Sequence, residues 1–305
     1  MPSKLAAWFH AFRLRTLPLA FSSIITGGGM ALRNHPEVFS WLTFGLCLLT
    51  TLFLQVLSNL ANDYGDSEKG TDNENRIGPA RAVQAGLLSM KEIKTGIAIN
   101  VLLCLASGIA LLYYGFAGME LTWPLAFFAL GLAAIAAAIK YTVGSNAYGY
   151  RGLGDVFVFI FFGLVGVTGS YILLGHSFDA AVLLPAAAIG AFSAAVLNLN
   201  NMRDANSDAL SGKNTLVVKI GLTKAKQYHY ALIIGAWLAV VLFSVLRFYS
   251  TFQFAYILTL PLFRKQIKEI RSITEPAQFD PLLKQTAIAT FLFAMLFAAG
   301  YVMGE

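Results

Sequence analysis

Long apolar runs separated by short polar stretches dominate the chain. Nine runs reach or approach the roughly 20 residues that a membrane-spanning helix needs. They lie at about 15–33, 39–62, 94–117, 122–143, 152–175, 180–200, 226–247, 250–263 and 285–303. The eighth is short, and its end at Pro261 abuts the basic run Arg264, Lys265, Lys268, Arg271. A longer tilted helix or a re-entrant segment fits it as well as a plain span. The first run follows Lys4, Arg13 and Arg15, as a signal core would. It is longer than such a core, and no small-x-small cleavage site precedes a soluble domain, so it reads as an anchor.

Composition sets the solvent. Of 305 residues, 57% are hydrophobic and 12% charged. A soluble domain carries roughly 25% charged residues because its surface faces water. This chain has too few, so lipid must cover most of its surface. Disordered, collagen-like and secreted disulfide-rich chains are excluded on the same figures. Cys47 and Cys104 lie inside apolar runs and read as small buried hydrophobes, not as a disulfide pair.

The net charge of +6 reflects topology and does not point to nucleic acid. With nine spans and the N-terminus inside, twenty of the 22 Lys and Arg residues fall on one side, leaving only Arg33 and Arg247 on the other. Deleting the eighth span would move residues 264–284 across and spoil that asymmetry. The expectation is a single membrane-embedded domain over 1–305. Its fold class is an all-α polytopic membrane helical bundle of about nine transmembrane helices, N-in and C-out.

The outside connections are short, but two inside stretches are not. Residues 58–81 read SNLANDYGDSEKGTDNENRIGPAR, and residues 198–215 read NLNNMRDANSDALSGKNT. Each begins with asparagines at the end of an apolar run, passes into paired aspartates, and ends in basic residues with glycine. Asp63 and Asp204 lie 141 positions apart, which hints at an old internal duplication. If the helices continue past the membrane, Asn59 shares a face with Asp63, Asn62 with Asp66, and Asp204 with Asp208, while Asn201 lies one turn before Asp204. Asp72 adds a fifth carboxylate.

Carboxylates gathered at one mouth repel each other, and ionised groups near lipid are costly. A hard divalent cation resolves both problems. Oxygen-only ligands suit Mg2+, which commonly bridges carboxylates to a phosphate-bearing substrate. Cysteine and histidine are absent from the cluster, which argues against zinc. Arg76, Arg81, Arg203 and Lys213 would complement a diphosphate. The bland alternative is that loops between membrane helices hold Asp, Asn and Lys because they are wet; Glu92 and Glu269 read that way.

A third inside stretch, YTVGSNAYGYRGLGD (141–155), has glycines for tight turns. Its tyrosines suit either a ring or cation to stack on, or the membrane interface. A rival from another class is a cation-coupled transporter, since intramembrane acids mark ion pathways. Transporters place acids near the bilayer midplane, whereas these cluster at one face.

The polar stretches resemble the two aspartate-rich motifs of the UbiA superfamily of intramembrane aromatic prenyltransferases. The nearer resemblance is to its menaquinone branch, the MenA-type 1,4-dihydroxy-2-naphthoate polyprenyltransferases. It is carried by RLRTLPLA (13–20), SNLANDYGDSEKGTDN (58–73) with RIGPARAVQAG (76–86), YTVGSNAYGYRGLGDVFVFIFFG (141–163) and LNLNNMRDANSDALSGKNTLVVKIG (197–221), in family order. Beyond residue 221 only hydropathy matches. Leu14 and Ala147 stand where the pattern has proline. Gly70 stands where the general pattern has its last acid, which here is Asp72, a longer spacing that the menaquinone branch shares.

The resemblance implies a Mg2+-dependent transfer of a polyprenyl group from polyprenyl diphosphate to 1,4-dihydroxy-2-naphthoate, with loss of CO2 and diphosphate, giving demethylmenaquinone. Within the superfamily, 4-hydroxybenzoate is an alternative acceptor. Asp63, Asp66, Asp204 and Asp208 would hold the Mg2+-diphosphate, with Asp72 as a fifth acid. Asn59, Asn62 and Asn201 would orient metal waters or phosphate oxygens, and Arg81, Arg203 and Lys213 would stabilise the leaving diphosphate. Tyr141, Tyr148 and Tyr150 would face the allylic cation, and Asp155 and Lys140 would bind the acceptor or handle its proton. The catalytic loops, at about 63–93 and 201–225, would face the cytoplasm from a bacterial inner membrane. No obligate protein partner is implied.

Overall fold

The computed structural model describes residues 3–73 and 77–304. Arg76, one of the cations expected near a diphosphate, lies outside the described residues. A short helix α1 (Lys4–Phe12) is capped by Ser3, whose side chain accepts from the Ala6 amide. Nine longer helices follow among the described residues: α2 (Leu17–Asn34), α3 (Trp41–Glu68), α4 (Met90–Gly115), α5 (Thr122–Lys140), α6 (Gly154–Gly175), α7 (Ala180–Leu210), α8 (Leu216–Leu246), α9 (Leu260–Ser272) and α10 (Pro276–Val302). The expected count of nine is met, with no strand among the described residues.

Seven of the nine are long and apolar enough to cross a membrane; α2 and α9 are not among them. Helix α2 carries Ser22, Ser23 and Thr26, all buried. Ser22 and Thr26 donate to carbonyls one turn back, at 2.9 and 2.8 Å, so their polar groups are satisfied within the helix. The eighth apolar run proves to be the first part of a longer element. A 3-10 stretch, Thr251–Thr259, leads into α9, with Pro261 in the first turn, where its missing N–H costs no helical bond. Helix α9 buries Phe263, Gln266 and Ile270 and exposes Arg264, Lys265, Lys268 and Arg271.

Helix α7 lies at the centre, packed on α8, α6, α10 and α2. Aromatic rings fill its contact with α8, α9 and α10: Phe192 stacks on Phe263 at 4.5 Å and meets Phe293 edge-on at 5.1 Å. Against α6 the packing is backbone on backbone. A Cβ placed on Gly163 would lie 2.6 Å from the Gly190 Cα, so neither position has room for a side chain. Leu102, Leu132 and Leu238 are exposed on α4, α5 and α8, as a chain solvated by lipid requires. Helix α6 also contains a π-helical turn over Phe159–Val165 that the apolar pattern does not reveal.

Candidate active site

The paired aspartates of both stretches lie on helix, not loop. Helix α3 continues to Glu68 and the long helix of α7 to Leu210, so Asp66 and Asp208 project from the last turns and Asp63 and Asp204 from the turns before them. The two ends are built alike. Gly70 and Gly212 take left-handed backbone, at φ 69° and 73°. The amide that follows each glycine turns back to an aspartate carbonyl: Thr71 to Asp66 and Lys213 to Asp208, each at 2.8 Å. This is the Schellman closure, and it puts Asp66 and Asp208 at equivalent positions of their helices.

A helix C-terminus carries partial negative charge, which disfavours a carboxylate there by about 0.3–1 kcal/mol. Four carboxylates on two such ends make a strongly electronegative focus. Cations of the protein itself answer it. Lys213 Nζ lies 3.2 Å from Asp66 Oδ2 and 4.0 Å from Asp208 Oδ1, and so joins the two helix ends. Burial works to discharge that ammonium, but Asp66 and then Asp208 hold its pKa above the ordinary lysine value. Arg203 forks onto Asp204 at 2.8 and 2.7 Å, and also bonds Asn200 and Asp280. Arg13 bonds Asp63, and Arg81 Nε lies 3.8 Å from both Asp63 and Asp72.

The third polar stretch closes the site from the side. The Tyr150 hydroxyl donates to Asp66 Oδ1 at 2.8 Å and shares a 2.6 Å hydrogen bond with Thr71. Its ring lies under Lys69 Nζ at 4.2 Å and faces Lys213 Nζ at 5.3 Å. Burial, then Asp66, pushes the Tyr150 phenol up, so it stays a donor. Gly149 and Gly154 are small for a steric reason: a Cβ on either would come within 3.1 Å of the Tyr141 ring.

One turn before the aspartates a cavity of about 370 Å³ opens between α3, α4, α5 and α6. Asn59, Asn62 and Tyr141 stand at its polar end; Cys47, Cys104 and Leu111 line it farther along. Tyr148 stacks on Phe157 at 3.9 Å, 18° from parallel, and both line the same wall. A second cavity, of about 260 Å³, lies between α1 and residues 79–81, lined by His10, Arg13, Arg15, Asp63 and Arg81.

The expected residues do not all meet here. Asn62 accepts from Thr142 at 3.3 Å. Asn59 donates to Phe12 O at 2.9 Å and Thr16 at 3.2 Å, tying α3 to the N-terminal turn. Asn201 is buried on α7. Asp155 is buried too, but it lies beside Tyr228 of α8 and does not line the cavity. Lys140 ends α5 with an exposed side chain and is not among the residues lining the cavity. Three residues escaped the sequence reading: Arg13, Asp280 and Tyr228. Arg13 alone had a signal, standing in the RLRT run before Pro18. It adopts φ 49° without being glycine, a strained turn that aims its side chain at Asp63.

The donor set fits a hard divalent cation. All the candidate donors are oxygens, and Asp63 Oδ2 is buried with no hydrogen-bond partner among the described residues. Among the same residues no three His, Cys, Asp or Glu side chains are already drawn together for a metal; Lys213, Arg203, Arg13 and Arg81 stand among the carboxylates instead.

Residues 20–280 match the model of the UbiA prenyltransferase family. The chain is 44% identical to a 1,4-dihydroxy-2-naphthoate octaprenyltransferase of Haemophilus influenzae, over 99% of this chain and 97% of that protein. It is 41% identical to the Escherichia coli protein of the same name, with the same coverage. A solved UbiA homolog from Archaeoglobus fulgidus, bound to GPP and Mg2+, shares the fold at a TM-score of 0.65 and 15% identity, covering 97% of this chain and 99% of that one. The chain belongs to the UbiA prenyltransferase family.

Proposed function

We propose that the protein transfers a polyprenyl group from its diphosphate to 1,4-dihydroxy-2-naphthoate, with loss of CO2 and diphosphate, giving demethylmenaquinol, the hydroquinone that a separate two-electron oxidation converts to demethylmenaquinone. The observation that carries this reading is the pair of matched helix ends, joined by Lys213 at Asp66 and Asp208, one turn from an apolar cavity. Nearly full-length identity to relatives named for the naphthoate reaction supports the acceptor.

Asp63, Asp66, Asp204 and Asp208 would hold Mg2+, with Asp72 beside them. When bound, the ion supplies positive charge against the diphosphate oxygens. Lys213 and Arg81 bind the same diphosphate and stabilise charge as the allylic C–O bond breaks. Arg203 keeps Asp204 in place through its fork. Asn62 and Asn201 orient phosphate oxygens, while Asn59 holds α3 to the N-terminal turn. Tyr141 and Tyr148 present rings to the developing allylic cation, and the apolar wall keeps water from it. The electron-rich ring carbon of the acceptor takes the prenyl C1 and its carboxylate departs as CO2.

Positive charge on one face of the bundle supports a cytoplasm-facing site in a bacterial inner membrane. The test is acceptor competition. Purified protein in lipid receives an allylic polyprenyl diphosphate, Mg2+ and equal 1,4-dihydroxy-2-naphthoate and 4-hydroxybenzoate. Prenyl naphthoquinol, or its air-oxidised quinone, is expected. Prenylated hydroxybenzoate as the main product would move the acceptor class.

A further inference from the structure

Lys213 stands where a cation guest would be drawn, between carboxylates of the two helix ends. Its ammonium is buried, 3.2 Å from Asp66 and 4.0 Å from Asp208. Two cations cannot share Asp66 at close range without strong repulsion. A divalent ion arriving alone must therefore displace Lys213, leaving a buried ammonium with no counter-charge, which is costly.

The arginines are placed differently: Arg13 and Arg81 lie against Asp63 and Asp72 and do not join the two helix ends. Arg203 is fixed by Asp204, Asn200 and Asp280 together. Lys213 has a single flexible stem and sits on the short link between α7 and α8, directly after Gly212 in left-handed backbone. The Tyr150 ring, 5.3 Å away, offers it a second resting place.

We propose that Lys213 is a placeholder for the metal, so that the divalent ion and the diphosphate enter together. In the free protein it neutralises Asp66 and Asp208 and holds the two helix ends in register. Diphosphate removes the obstacle, because its oxygens give the displaced ammonium a new partner. Each ligand then raises the affinity for the other by the same factor, as linkage demands. The device keeps the acidic focus from taking up metal without substrate. It rests on the metal–diphosphate reading above and specifies how that site is loaded.

The test is equilibrium dialysis of the full chain in lipid nanodiscs against Mn2+, with and without inorganic diphosphate, using Asp66→Asn as the blank. In the wild type, diphosphate should tighten Mn2+ binding by about tenfold or more, within the usual range of coupling. Lys213→Met and Lys213→Gln should bind Mn2+ alone about tenfold tighter than the wild type. Mn2+ binding by both variants that is no tighter than wild type overturns the proposal. If neither variant folds, the wild type decides: a gain with diphosphate of less than about twofold overturns it. Absence of Mn2+ uptake above the blank in either condition would instead overturn the metal–diphosphate reading itself.

Discussion

The Tyr150 hydroxyl donates a 2.8 Å hydrogen bond to Oδ1 of Asp66, linking the segment between α5 and α6 to the end of α3. Tyr150→Phe keeps the ring beneath Lys69 and Lys213 and removes only the donor. A hydrogen bond to a charged group is worth about 1.5–3 kcal/mol. Turnover should fall roughly 10- to 100-fold in steady-state kinetics, while Tyr150→Ala, which also strips the ring, should fall further. Equal rates for Tyr150→Phe and wild type would show that the hydroxyl has no part in the reaction.

Asp66 and Asp208 occupy matched places in the two helix ends, so the account treats them alike. Asp66→Asn and Asp208→Asn should each lower turnover by at least about 100-fold, the scale of losing a main electrostatic contact. Both should still insert and elute as folded protein in size-exclusion chromatography. Near wild-type activity in both would sink the assignment.

Arg203 has two acidic partners of different character. Its fork to Asp204 is buried, whereas the Asp280 side chain is 43% exposed. Asp204→Asn should cost about 3 kcal/mol of stability along with activity, because it weakens a buried pair. Asp280→Asn should cost about 1 kcal/mol or less. Thermal melts in detergent distinguish the two; equal losses would contradict the burial argument.

Gly163 and Gly45 make a contrasting pair. A Cβ on Gly163 would meet Ala186 O at 2.5 Å, whereas one on Gly45 meets nothing within 4 Å. Gly163→Ala should destabilise by about 1–3 kcal/mol through overpacking of α6 on α7. Gly45→Ala should be neutral or slightly stabilising, since alanine favours helix by up to about 1 kcal/mol. Paired melting curves check this, and a Gly163→Ala melt no lower than that of the wild type would contradict the close approach.

Much of this was legible in the sequence because it is local. Hydropathy locates helices, and spacing puts Asn59 with Asp63 and Asp204 with Asp208 on shared faces. The glycines that follow each acidic run mark where the helices stop. What stayed hidden is long-range. Lys213 reaches Asp66 across 147 positions and Arg203 reaches Asp280 across 77; no periodicity reports such pairs. The eighth run was ambiguous because its apolar half is a 3-10 stretch that runs directly into the basic amphipathic helix α9 at Pro261. Lys140 and Asp155 were singled out by residue type and stretch alone, and the fold sends one to the surface and the other toward Tyr228.

The most direct test of the central claim is mass spectrometry of the product formed by purified protein from an allylic polyprenyl diphosphate and 1,4-dihydroxy-2-naphthoate. The account predicts a decarboxylated prenyl naphthoquinol, recovered as its quinone after air oxidation, in the presence of Mg2+, its loss with EDTA, and its return when Mg2+ is restored. A folded protein that yields no prenylated product, or yields it equally in EDTA, would contradict the account.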